Sequence, residues 1–319
     1  MHYTQPLPFP RQGTWAVVAP SAPLANFPRE RLDLGVRRLR DRGARVVFAP
    51  NMEASAEHMA GTIAQRVQDL HWAFGEPGID GVLALWGGWN SNQLLPHLDW
   101  EAIAASRRPF CGYSDITALH GGLLARAGLG CYYGPAFGSF CHADMESYTL
   151  ESWEAAVRER EAYRCTAAAT SADYHQPAQP NSGWAVLQSG RAQGIAVGGE
   201  ITTFALLCGT PYLPDTAGAV LVLESDEDGT PPIYDRCLHQ LEQAGVLRSI
   251  AGLALGRSPR ASGVSTAVLG RILDRVHLPS GIPVVAEMDF GHITPLLTIA
   301  LGSLCMLNTT APELAFAQR

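Results

Sequence analysis

Three polar residues stand where an apolar run stops: Ser114, Glu224 and His292. A serine hydroxyl attacks a carbonyl only when a base takes its proton, and histidine, which titrates near neutral pH, suits that role. A carboxylate beside the imidazole fixes its tautomer and offsets the charge that it gains. Residues 109–119, PFCGYSDITAL, read as a short apolar strand, a tight turn carrying Ser114 and the start of a helix. Such a turn exposes the hydroxyl on one side. On the other it sets the hydroxyl beside unpaired backbone N–H groups and the positive end of a helix dipole. This is the form of a nucleophile elbow, with Gly-x-Ser-x-Ile in place of Gly-x-Ser-x-Gly. A Ser/Asp helix cap after a buried strand looks the same, and these residues by themselves favour the cap. Gly87-Gly88 also closes an apolar run. Two glycines there let a backbone N–H approach a ligand, an oxyanion among the candidates, although alone the pair reads as a tight turn.

The rest of the composition narrows the chemistry. All 23 basic residues are arginine, which excludes a P-loop lysine, a Schiff-base lysine and a Ser–Lys dyad. His58, His71, His97, His120, His142, His175, His239 and His277 fall on expected helices or loops, and His120, on the helix after Ser114, is the main competitor of His292 as base. No His-x-x-x-His or Cys-x-x-Cys spacing suggests a metal, and no cofactor motif is present. Seven cysteines without such pairing, mostly in apolar segments, read as buried reduced thiols. Cys111 would be the nucleophile of an amidotransferase-like alternative, but it lies inside the strand, three residues before the serine turn. A net charge of −7 argues against nucleic acid or an anionic membrane as partner. The N-terminus lacks the form of a signal peptide and no apolar run approaches membrane-spanning length, so a cytoplasmic protein is expected.

The elements that must position these residues follow from periodicity. Strands are expected at 15–19, 45–49, 81–86 and 109–113, with helices at about 28–42, 60–74 and 115–127. Alternation of this kind implies a mostly parallel sheet covered on both faces, with ligands beyond the carboxyl ends of its strands. The arginines at 37, 38, 40 and 42 read as a solvated helix face. A helix is expected at 150–162, and the Ala-, Pro- and Ser-rich residues 165–183 lack a clear period. The division is therefore 1–150, carrying the serine; a connection, 151–183; and 184–319, carrying the glutamate and histidine. The last part holds strands at 219–223, 250–256, 283–286 and about 298–307, with helices after 232 and at 265–277.

Several segments together resemble the LD-carboxypeptidase family of serine peptidases. They are Gly112-Tyr113-Ser114-Asp115-Ile116-Thr117-Ala118-Leu119-His120, Gly87-Gly88-Trp89-Asn90-Ser91-Asn92-Gln93-Leu94-Leu95-Pro96, Leu207-Cys208-Gly209-Thr210-Pro211-Tyr212-Leu213-Pro214 and Gly291-His292-Ile293-Thr294-Pro295, with 243–247 and 250–256. Their order is co-linear from about residue 13 to 308, which makes the set specific where each alone is weak. The resemblance implies a flavodoxin-like, class I amidotransferase-like N-terminal domain and a smaller β-rich α/β C-terminal domain, usually as a cytoplasmic homodimer. It implies Ser114 as nucleophile, His292 as general base and Glu224 as its orienting carboxylate, with the backbone N–H groups of Gly88 and Asp115 as oxyanion hole, and no metal. One arm of the family trims D-alanine from murein tetrapeptides; the other, the microcin C self-immunity proteins, cleaves the amide between a peptide or aspartate and a modified nucleotide. Where the murein arm usually has Arg-Gly-Gly-Tyr-Gly-Ser, this chain has Trp86-Gly87-Gly88-Trp89-Asn90-Ser91, a form closer to the immunity arm. Gly198-Gly199-Glu200 stands where Gly-Gly-Asn is commoner. Candidate substrate contacts are Gly87, Trp89, Asn90 and Tyr113, together with Trp184, Trp86 and Trp89 itself as surfaces for a nucleobase and Arg236 for a carboxylate. A structural tryptophan reads at least as well for each of the three tryptophans, and a structural ion pair equally well for Arg236. A non-catalytic small-molecule binding domain on the same scaffold is the reading of a different class.

Overall fold

The apolar runs of the first half become five short strands: β1 (Gly13–Val18), β2 (Ala44–Phe48), β3 (Gly81–Ala84), β4 (Phe110–Gly112) and β5 (Cys131–Tyr133). They are seen in a computed structural model that describes residues 3–158, 162–174 and 176–317. All five are parallel, in the order 2-1-3-4-5. This is the flavodoxin-like order, with its switch point between β1 and β3. Connecting helices α1 (Arg29–Arg40), α2 (Ile63–Gly75), α3 (Trp100–Ser106) and α4 (Thr117–Gly122) cover the sheet. β3 and β4 are apolar and wholly buried, as is β1 from Trp15 to Val18, because both faces are covered. The capping box of Thr62 and Gln65 starts α2 where its apolar stripe begins. The arginines of α1 divide: Arg37 and Arg40 are exposed, whereas Arg38 donates to the carbonyls of Phe140, His142 and Ala143 and Arg42 pairs with Glu154 at 2.8 Å. A uniformly solvated face is thus corrected to one that ties α1 to residues 140–154.

Short α5 (Phe137–Phe140) leads to α6 (Ser147–Val157), which begins and ends earlier than the periodicity suggested; residues 159–161 of the expected helix lie outside the described residues, as does His175. The segment expected as a connection carries β6 (Tyr163–Cys165), β7 (Thr170–Asp173) and β8 (Gln179–Pro180). There follow β9 (Ala185–Gln188), β10 (Arg191–Glu200), α7 (Ile201–Leu206), β11 (Val220–Glu224), α8 (Pro231–Gln243), β12 (Gly252–Gly256), α9 (Thr266–Leu273) and β13 (Val284–Met288). Then come β14 (Ile293–Thr294), β15 (Ile299–Leu301), β16 (Leu304–Asn308) and β17 (Glu313–Phe316). An eight-stranded mixed sheet runs β6-β17-β16-β10-β11-β12-β13-β9, with β10 to β13 parallel, and β14, β7 and β8 form a small third sheet. The fold class is α/β, as expected.

The strand expected over 298–307 is two strands. Gly302, at φ 82°, turns the chain, so β16 pairs with β10 while β15 lies antiparallel to β5 in the first sheet. That crossing places Ile299 beside Tyr133 and brings the loop before it, with His292, against the carboxyl ends of β3 and β4. No helix among the described residues is long and apolar enough to cross a membrane.

Candidate active site

Ser114 follows β4 and opens a 3-10 turn that runs into α4. Its φ of 66° is left-handed, a conformation that costs a residue with a Cβ about 1 kcal/mol. Neighbouring contacts hold it there. The Ser114 N–H donates to the Tyr133 hydroxyl at 3.1 Å. The Asp115 carboxylate accepts from Ser21 Oγ at 2.5 Å and from the backbone N–H groups of Asn90 and Ser91 at 3.0 and 2.8 Å, and Ser91 Oγ donates to the Asp115 carbonyl at 2.6 Å. The turn after β4 is therefore bonded to the turns after β1 and β3, at the switch point. Gly87 packs directly on the serine: a Cβ there would stand 2.8 Å from Ser114 Oγ and 3.4 Å from the Asp115 nitrogen. Gly88, at φ 149°, lies against Ser21 and Ala22.

The partners come from the other end of the chain. His292 Nε2 lies 2.9 Å from Ser114 Oγ, and its Nδ1 lies 2.8 Å from Glu224 Oε2. Glu224 is completely buried at the end of β11. Its Oε1 accepts from the Tyr133 hydroxyl. Gly291 (φ 103°) and Gly256 line the carboxylate: a Cβ on Gly291 would collide with Glu224 Oε2, and one on Gly256 would come within 2.5 Å of Glu224 Cβ. Burial works against the imidazolium of His292, but the charge and hydrogen bond of Glu224, with Asp226 and Glu200 beyond, outweigh it and raise the imidazole to about 9. A serine, an imidazole and a carboxylate in this relation can activate a hydroxyl for attack and then return the proton to a leaving group.

The competitors do not meet these conditions. His120 is fully buried, edge-on to Phe110 and Tyr133, and burial pushes it down to about 3, so it stays neutral. Burial also pushes the thiol of Cys111 far up, and it donates to the Pro135 carbonyl within β4's surroundings, which leaves no thiolate.

Among the expected substrate contacts, Gly87 and Tyr113 adjoin the reacting groups, the Tyr113 ring lying 5.3 Å from that of His292. Trp89 is 66% exposed on the loop after Gly88. Three expectations are corrected. Asn90 is buried, and its Oδ1 accepts from the buried Arg66 at 2.6 Å, so it holds the glycine loop from behind. Trp184 is also buried and donates its indole N–H to Asp289 at 2.8 Å, which leaves no open face for stacking. Arg236 is exposed on α8 and is not among the residues that line the cleft at Tyr113. The cleft instead runs from Phe27, Arg31, Trp86 and Tyr113 past Ser139, His142, Tyr174 and Glu227 to Met145, Ile293 and Thr294. In it Tyr113 and Tyr174 share a hydroxyl contact of 3.0 Å, and the rings of His142 and Tyr174 stack at 6.3 Å. Tyr133, Tyr174, Ser21 and Arg66 were missed from sequence. Of these, Tyr133 left a signal as the end of the apolar triplet Cys131-Tyr132-Tyr133 before Gly134-Pro135, and Ser21 as the polar residue just beyond the apolar run 15–19. Among the described residues no group of three or more His, Cys, Asp or Glu side chains could hold a metal ion.

Comparison with known proteins adds to this geometry. Residues 16–134 match the model of the LD-carboxypeptidase N-terminal domain, and residues 193–307 that of the LD-carboxypeptidase C-terminal domain. The murein tetrapeptide carboxypeptidase of Pseudomonas aeruginosa is 31% identical, over 89% of each chain. An MccF-like protein from Bacillus anthracis superposes with a TM-score of 0.93 at 29% identity, covering 99% of this chain and all of the other. The microcin C7 self-immunity protein MccF, solved in complex with aspartyl sulfamoyl adenosine, gives a TM-score of 0.89 at 27% identity over 99% of both chains.

Proposed function

This chain belongs to the LD-carboxypeptidase family and is a serine-type peptidase, and on that premise we propose that it hydrolyses the amide of an aminoacyl- or peptidyl-nucleotide by acyl-enzyme chemistry at Ser114. The observation that carries the substrate class is the aromatic cleft lined by Trp86, Tyr113, Tyr174 and His142, in which Tyr113 directly precedes Ser114 and packs on His292. Flat rings of this kind suit a nucleobase, and the arginine usual in the murein arm is replaced by Trp86. Likeness to MccF, solved with an aspartyl nucleoside analogue, supports the same reading.

In this mechanism Ser114 Oγ attacks the substrate carbonyl as His292 Nε2 takes its proton. Glu224 keeps the other imidazole proton on Nδ1 and offsets the new positive charge. The developing oxyanion is held by the backbone N–H groups of Gly88 and Asp115. Collapse breaks the C–N bond, and His292 returns the proton to the departing amine. Water, deprotonated by the same imidazole, then releases the acid from the serine ester. The family resemblance extends the proposal to a cytoplasmic homodimer built from an N-terminal domain with the nucleophile and a C-terminal domain with the glutamate and histidine, which light scattering and cell fractionation test.

The decisive assay offers the purified protein an aspartyl-nucleotide amide and a murein tetrapeptide side by side. Turnover of the nucleotide conjugate, abolished in Ser114→Ala, is the expected result. Release of D-alanine with the conjugate untouched assigns the enzyme to the murein arm instead. Undiminished turnover by Ser114→Ala on either substrate overturns the mechanism, and binding of the conjugate without turnover makes the chain a binding domain.

A further inference from the structure

The hydrogen bonds around Ser114 close into a ring. Ser114 Oγ meets His292 Nε2, His292 Nδ1 meets Glu224 Oε2, Glu224 Oε1 accepts from Tyr133, and the Tyr133 hydroxyl accepts from the Ser114 N–H. We infer that Tyr133 is a positioning residue of the active site, which fixes the serine turn and the glutamate relative to each other across the two halves of the chain. The inference rests on the serine mechanism above and goes beyond the triad.

Its placement supports this role. Tyr133 ends β5, between β4, which delivers the serine, and β15, which comes from beyond the histidine loop. The side chain is fully buried. A phenol has a single proton to donate, and here it is committed to Glu224, while an oxygen lone pair takes the Ser114 N–H. That contact has two consequences. It satisfies a donor that the left-handed turn would otherwise leave unpaired, and it turns the Ser114 N–H away from the carbonyl to be attacked, leaving Gly88 and Asp115 to form the oxyanion site. Burial first and the Glu224 charge second hold the phenol well above its usual range, so it remains a donor throughout the working pH span. The charged and titratable groups facing this ring are Glu224, Asp226 and Glu200 around the imidazole, with Tyr113 against His292 and the neutral His120 against Tyr133.

The sign of the effect follows. The phenol draws negative charge toward Oε1, so its removal concentrates that charge on the oxygen facing His292. The imidazolium is then better stabilised, and the pH at which the base becomes free rises. The probe is a fluorophosphonate, which labels an activated serine without the natural substrate. In Tyr133→Phe, labelling of Ser114 is expected to slow by roughly 10- to 100-fold, the effect of one hydrogen bond to a charged group. Its pH midpoint should move above that of the wild type. Tyr132→Phe, one residue away, with its hydroxyl on the carbonyl of Leu7 at 3.0 Å, controls for loss of a buried hydroxyl and should change neither rate nor midpoint. If Tyr133→Phe does not fold, site-specific 3-fluorotyrosine at position 133 decides: a more acidic phenol withdraws more charge and should move the midpoint down. An unchanged rate and midpoint in Tyr133→Phe, or an unmoved or upward midpoint with 3-fluorotyrosine, overturns the inference. A wild-type protein whose Ser114 is never labelled sinks the serine mechanism instead.

Discussion

β10 and β11 lie side by side, parallel, and each ends in a buried glutamate: Glu200 and Glu224 are partners in the strand register. Their carboxylates nevertheless have different fates. Glu200 is followed at once by α7, and it accepts from the N–H and hydroxyl groups of Thr202 and Thr203 at 2.7 to 2.9 Å. It is spent as a helix cap within three residues of itself. Glu224 is followed by a turn, 225–230, that leaves its oxygens free, and both bond to side chains from distant strands and loops, Tyr133 and His292. A carboxylate at a strand end becomes available for chemistry only when the next residues do not consume it. Glu200 retains a link to the site through its N–H, which donates to Thr117 Oγ1 on the nucleophile helix at 2.8 Å.

The sharpest way to break this contrast is to neutralise each glutamate. Glu224→Gln is expected to lower kcat/KM by about 10³- to 10⁴-fold, because an amide no longer selects the productive tautomer of His292. Glu200→Gln should stay within about tenfold of wild type, since it touches no reacting group. Comparable losses in steady-state hydrolysis would erase the distinction.

The pH dependence separates them by direction and degree. His292 must lose its proton to act as base, so wild-type kcat/KM should climb with pH and level off above about 9. Removing the Glu224 charge leaves burial as the dominant influence on the imidazole, and the midpoint should fall markedly in Glu224→Gln, read by fluorophosphonate labelling where turnover is too slow. Glu200 raises His292 only from a distance, so Glu200→Gln should lower the midpoint by much less. A midpoint that ignores Glu224→Gln shows that some group other than His292 limits the rate.

The smallest effect concerns stability. Glu200→Ala removes the side-chain cap of α7 and should cost about 1 kcal/mol in a urea titration. A variant as stable as the wild type would mean that the threonines satisfy the helix end unaided.

Much of this was legible in order along the chain. Val17, Leu83 and Phe110 belong to apolar runs that have no alternative to burial, so the parallel strands of the first half and their helices followed from periodicity. Ser114, Glu224 and His292 stood out because each interrupts an apolar run. β10 did not, because Gly194, Gly198 and Gly199 break its alternation while permitting close approach: a Cβ on Gly199 would collide with Thr117. That gap hid Glu200 as a second strand-end carboxylate. Asn90 was misjudged, and Trp184 was left open, because a polar or aromatic residue beside a glycine loop looks the same whether it faces the cleft or, like Asn90 on Arg66 and Trp184 on Asp289, holds the backbone from behind.

The amino-acid sequence by itself determined the α/β alternation, the lack of any lysine chemistry and the strand ends at which Ser114 and Glu224 would sit, because local propensity and apolar period act over a few residues; His292 lies instead in the loop between β13 and β14. Only the tertiary structure decided which glutamate reached the histidine, that β15 would cross into the first sheet, and that Tyr133 would join the serine turn to Glu224. Those outcomes depend on hydrogen bonds between residues 19 to 178 positions apart, whose partners no local pattern records.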